Sequence, residues 1–130
     1  MPNTIPEDAV EALTGDARVG HLATSHEDRP HVAPVWYDYR DGAVELVTTG
    51  KKLENIRRNP RVALSVQDTD DGDPKWGLTL RGTATVVEDD AEGREILRRI
   101  NRRYGADEGD WAENTAVRIE VGSTNYWTYD

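Results

Sequence analysis

Cysteine is absent from this chain, and its absence removes disulfides, thiolate metal sites and thiol nucleophiles together. No apolar run approaches the roughly 20 residues that a membrane-spanning helix needs, so no membrane partner is expected. The opening MPNTIPEDAVEAL lacks the basic-then-apolar pattern of a secretory signal, and a cytoplasmic location is the expectation. Internal repeats and low-complexity segments are also lacking. Cations are in short supply: 16 Lys and Arg stand against 25 Asp and Glu, a formal net charge of −9. A nucleic-acid partner needs a continuous basic face, and acid clusters at 68–73, 88–92 and 107–113 interrupt any such face. Acidity spread in this way resembles the halophilic surface of a protein from a high-salt cytoplasm; the plainer alternative is an ordinary acidic mesophilic protein. Such salt screens exposed charges within a few ångströms, so a working ion pair has to be close and partly buried.

The 130 residues, 36% hydrophobic and 32% charged, suit one polar-leaning domain over 1–130 with a single core. His21, His26 and His31 recur at intervals of five, but no carboxylate–histidine motif accompanies them. They are read as solvated or hydrogen-bonded side chains, and no metal centre is expected.

The element pattern is mainly β. TIPEDAVEALTG reads as a short helix, with Thr4 and Glu7 as a capping box, Pro6 in the first turn and Gly15 at the stop. Strand patterns follow at 18–24, 31–39, 43–49, 61–67, 76–88 and 115–130, with hairpin signals such as Arg40-Asp41-Gly42 between them. Gly77 and Gly82 inside the fifth strand suggest a bulge or sharp bend. GKKLENIRRNP switches to helical spacing, with Leu53 and Ile56 on one side and Pro60 as the stop. A further helix over about 90–104 is capped by Asp89 with Glu92 three residues on, and Ile96, Leu97, Ile100 and Tyr104 form its apolar stripe. Its Arg94, Arg98 and Arg102 interleave with Glu92 and Glu95, as on a solvated face. Six largely sequential strands with two to three short helices predict a small antiparallel barrel, because an open sheet would leave WGLTLRG and YWTYD as bare edges.

Against the acidic background, TTGKKLENIRRNPR at 48–61 concentrates five cations opposed only by Glu54. If the third strand ends at Thr48-Thr49 and a helix starts at Gly50, the helix start offers unpaired N–H groups and a positive dipole end. Thr48, Thr49, Lys51 and Lys52 add donors and charge there, and Gly50 allows close approach of backbone, an assembly suited to a phosphate monoester. On spacing alone this reading stands even with the plainer one, in which Thr49 caps a helix whose lysines are solvated. Arg57, Arg58 and Arg61 come later and meet the negative end of the helix dipole. Pro34 inside HVAPVWY removes a ladder donor and marks an edge or bulge, leaving backbone groups free for the rim of a planar ligand that Trp36 would flank. The plainer alternative makes Pro34 an edge marker and Trp36 core.

GHLAT, RPHVAPVWY, VTTGKKLENIRRNPRVALSV and LRGTATVVED, in that order, resemble the pyridoxamine 5′-phosphate oxidase-like flavin-binding split-barrel family over about residues 5–127. The resemblance implies a six-stranded antiparallel split β-barrel, a homodimer and two cofactor sites at the dimer interface. It places the cofactor phosphate at Lys52, helped by Lys51, with Thr48 and Thr49 assisting beside Gly50. It lays the isoalloxazine ring along His31, Val32, Ala33, Pro34, Val35 and Trp36, largely through backbone groups. Trp127 and Trp76 would complete the pocket from the partner subunit. Where oxidases of pyridoxamine phosphate carry arginine and lysine on the second strand, this chain has residues near His31 and Trp36, so that reaction is not expected. The short chain and PHVAPVW resemble the small reductase-like branch. The function implied is an FMN-dependent oxidoreductase acting on a small-molecule substrate by hydride transfer at flavin N5, with chemistry carried by the cofactor and no catalytic acid or base named. Two alternatives remain open: a deazaflavin-dependent reductase, with Arg57 or Arg58 meeting the longer anionic tail, and a flavin-sequestering protein without turnover.

Overall fold

The structure, a computed structural model of the chain, describes residues 5–129. Its order is α1 (Glu7–Thr14), β1 (Gly20–His26), β2 (Arg29–Val35), β3 (Tyr37–Arg40), β4 (Ala43–Thr48), α2 (Gly50–Arg58), β5 (Arg61–Asp70), β6 (Asp73–Val86), α3 (Asp90–Arg103) and β7 (Thr115–Thr128). The strands form one antiparallel sheet in the order β2-β1-β5-β6-β7-β4-β3. This is the expected split barrel with seven strands rather than six. The pattern at 31–39 is two strands, because the chain leaves the ladder at Trp36. The two halves run to opposite ends of the sheet order, so a sheet whose first and last strands are joined through one residue, Trp36, has to curl until its edges meet.

Inside the barrel lie Leu22, Leu46, Leu64, Leu78, Leu80, Ile119 and their neighbours, almost fully buried. α1 adds Ala9 and Leu13 to this core, and α2 adds Ile56. The Thr4 half of the expected capping box lies outside the described residues; within them, Pro6 precedes α1 without a side-chain cap. α3 lies on the outer side of β4 and β7, its Ile96, Leu97 and Ile100 packing on Val47 and Ala116 with Trp36 and Tyr104 at the margin. Its start is as expected, the Asp89 carboxylate accepting the Glu92 N–H at 2.8 Å. Among the described residues no helix is long and apolar enough to cross a membrane.

The two strand glycines do different work. The β6–β7 register shifts between Arg81 and Gly82, and a Cβ on Gly82 would run into the Glu120 carbonyl oxygen and come within 2.8 Å of Ile119 Cγ2. Gly77 is not at a bulge; it leaves room for the Trp127 indole, which lies over it.

Tyr37, at the start of β3, is fully buried, and its hydroxyl has no hydrogen-bond partner among the described residues. Burial pushes its phenol from the ordinary 10 up to about 12. An unfolded chain ionises this group from about pH 10, whereas the folded chain keeps it neutral, so stability falls as pH rises from there toward the folded value. The expected slope is about 1.4 kcal/mol per pH unit, read from denaturation midpoints across that range. Tyr37→Phe should flatten this slope and, with no bond to lose, change stability at pH 7 by less than about 1 kcal/mol. A wild-type slope that survives the substitution would rule Tyr37 out as its source.

Candidate functional site

β4 ends at Thr48, whose backbone is paired to Thr115 of β7 and whose side chain is 2% exposed. The Thr48 hydroxyl, buried, has no partner among the described residues. A buried hydroxyl without a partner is costly, and the cost disappears when a ligand supplies the missing bond. Thr49 follows in extended backbone (φ −153°) and makes no side-chain capping bond to α2. Gly50 then turns at φ +68°, the left-handed region that favours glycine. The start of α2 therefore keeps its N–H groups and faces an open cavity of about 440 Å³.

That cavity is lined by Val19, Pro34, Val35, Trp36, Val47, Thr48, Thr49, Lys52, Trp111, Glu113 and Asn114. One wall is the end of β2, an edge strand in which Pro34 withholds no needed ladder bond. Trp36 stacks on Tyr104 with centroids 4.7 Å apart and planes 6° apart, and meets Trp111 edge-on at 6.2 Å. The Tyr104 hydroxyl donates to the Arg18 carbonyl at 2.6 Å and accepts the Tyr37 N–H at 3.2 Å, which fixes the stack. Lys52 and Glu113 are the only ionisable side chains in the lining. Among the described residues neither Lys51 nor Lys52 pairs with a carboxylate, whereas Arg57 pairs with Glu88 at 3.3 Å and Arg58 with Glu54 at 3.7 Å. The basic stretch is thus divided: Thr48, Thr49 and Lys52 of its first half line the cavity, and two arginines of its second half pair with exposed carboxylates away from it.

Of the residues singled out from sequence, the fold gathers Pro34, Val35, Trp36, Thr48, Thr49 and Lys52 around this cavity. His31, Val32 and Ala33 continue along β2, with Val32 65% exposed, and do not line it. Gly50 and Lys51 are exposed at the start of α2. Trp76 packs beneath the Arg18 guanidinium, 5.1 Å from its ring centre, and Trp127 donates from Nε1 to the Tyr129 hydroxyl at 3.0 Å; neither lines the cavity of its own chain. Trp111, Glu113 and Asn114 were not singled out: they sit in an acidic stretch without periodicity, and only the fold brings them to the cavity. Arg98 and Arg102 pair with Glu95 and Glu108, as on a solvated face, and Arg94 and Arg98 line a separate cavity.

Residues 6–128 match the family model described as pyridoxamine 5′-phosphate oxidase. The chain belongs to the pyridoxamine 5′-phosphate oxidase family. Among solved structures of this fold, a conserved hypothetical protein from Mycobacterium tuberculosis is 29% identical, with TM-score 0.79 over 96% of this chain and 86% of that one. An F420 reductase is also 29% identical, with TM-score 0.72 over 93% and 98% of the two chains. A FAD-binding protein from Mesorhizobium loti shares the fold at 24% identity, with TM-score 0.77 over 95% and 94%. No curated protein matches the chain significantly. Membership of the pyridoxamine 5′-phosphate oxidase family is carried by residues 6–128, nearly the whole chain.

Proposed function

We propose that the chain is a flavin-dependent oxidoreductase that holds FMN in the cavity between β2 and the start of α2 and acts, as a homodimer, on a small-molecule substrate. The observation that carries this reading is the buried, partnerless Thr48 hydroxyl at a helix start, beside an unpaired Lys52 and an apolar wall of Pro34, Val35, Trp36 and Val47. A phosphate would take its bonds from Thr48, Thr49, Lys52 and the first N–H groups of α2, and a flat ring would lie against the apolar wall. A bound flavin supplies the hydride-carrying chemistry; the residues around it bind, orient and exclude water.

FMN is preferred to a deazaflavin because Arg57 and Arg58, the candidates for a longer anionic tail, lie in the last turn of α2 and do not line the cavity. The F420 reductase among the relatives keeps the deazaflavin as the second reading. The homodimer is supported by the outer side of β1, β2 and β5, where Val32 is 65% exposed and the small Ala23 and Ala63 stay half-exposed. Sedimentation of flavin-loaded protein as a monomer would remove the dimer from the proposal.

The cofactor test is direct. Purified protein should carry a flavin absorption spectrum, which a deazaflavin would not reproduce. Lys52→Ala should weaken FMN by roughly 1.5–3 kcal/mol, the worth of a charged hydrogen bond, and Thr48→Val by about 1 kcal/mol. Unchanged affinity in both, with circular dichroism unaltered, would overturn the phosphate assignment.

A further inference from the structure

Trp111, Glu113 and Asn114 line the same cavity and lie outside the set assigned above to the phosphate. Trp111 sits at φ +62°, a region that bulky residues rarely enter. Its loop is held from below by Asn101, fully buried, whose Nδ2 donates to the Glu108 carbonyl at 3.2 Å and the Asp110 carbonyl at 2.8 Å. The Trp111 carbonyl in turn accepts the Asn114 N–H at 2.9 Å. The loop thereby keeps a 52% exposed indole at the cavity, edge-on to Trp36, at the expense of backbone strain. Strain that the surroundings enforce points to a role in binding.

Charge narrows the ligand class. Lys52 and Glu113 are the two ionisable groups in the lining, and a cofactor phosphate at Lys52 leaves Glu113 as the remaining charge. Indole faces attract cations, and a carboxylate beside them adds to that attraction. Resting on the flavin reading above, we infer that Trp111 and Glu113 form the substrate side of the site and select planar aromatic cations, of the protonated or N-alkylated nitrogen-heterocycle class, over planar anions.

The test uses two planar probes, N-methylphenazinium as cation and anthraquinone-2-sulfonate as anion, in equilibrium dialysis against oxidised FMN-loaded protein and against flavin-free protein. Trp111→Gly removes the indole at a backbone angle that glycine accepts freely, so the fold is kept. FMN-loaded wild type should bind the cation about tenfold tighter than the anion; Trp111→Gly and Glu113→Gln, each saturated with FMN, should weaken the cation about fivefold. Equal binding of the two probes, or an undiminished preference in Glu113→Gln, overturns the inference. If wild type takes up no FMN, the flavin reading fails by itself. The flavin-free titration then decides for the wall: a cation preference that Glu113→Gln abolishes supports it, and no preference overturns it.

Discussion

Replacing Glu45 by alanine is expected to cost about 3–5 kcal/mol of stability, the range for breaking a buried ion pair by removing one partner. Glu45 is 0% exposed in the middle of β4, on the side that α3 covers. Its Oε1 accepts from Arg99 Nη1 of α3 at 2.9 Å and its Oε2 from Arg118 Nη1 of β7 at 2.7 Å, with Arg40 Nε at 3.5 Å. Alanine leaves these guanidiniums without the carboxylate between them, and Arg99 Nη2 is already buried without a partner. Asp38, 3.2 Å from Arg99, compensates only one of them. Glu95→Ala on the exposed side of α3 removes surface pairs to Arg98 and Arg99 and should stay within about 0.5 kcal/mol. Urea denaturation separates the two variants. Near 1 M salt, where the screening length is about 3 Å, the cost at Glu45 should persist while any effect at Glu95 vanishes. A loss under 1 kcal/mol at Glu45 would show that the network is no more than a solvated cluster.

Glu45 also marks where sequence reasoning stops. Strand alternation puts it on the outward side of AVELVT, the side a lone strand would turn to water. It is buried because α3, entering from 45 residues or more along the chain, lands on that side and brings Arg99 with it. No local pattern carries that information. What local patterns do carry was readable: the Asp89 cap of α3, Pro60 after α2, and the strand that ends at Thr48. The bend at Trp36 was not, since Tyr37 and Tyr39 continue the β-forming composition of HVAPVWY. Only closure of the sheet requires a break there. In the same way Pro34, Thr48 and Lys52 announce themselves through a misplaced proline and an acidic chain's misplaced cations. Trp111 and Glu113 reach the cavity through a loop whose conformation depends on a buried asparagine in α3.

Trp36→Ala is the second large effect expected, because the residue belongs to the fold and the cavity at once. It is the single residue between β2 and β3, and those strands are the two ends of the sheet. Its indole is held between the Tyr104 ring at 4.7 Å and the Trp111 edge at 6.2 Å, and it lines the wall beside Pro34 and Val47. Truncation should cost about 3 kcal/mol, the lower end for a tryptophan, since the ring is half-buried rather than enclosed. Trp36→Phe keeps an aromatic ring against Tyr104 and should recover most of that loss. The two variants also separate closure of the barrel from the shape of the wall. If the indole only braces the bend, Trp36→Phe restores stability and flavin affinity together. If it shapes the cavity, Trp36→Phe restores the denaturation midpoint while flavin binding stays weakened. The stacked, cavity-lining geometry favours the second outcome. An alanine variant as stable as wild type would show instead that the backbone bend and the sheet register close the barrel without the indole.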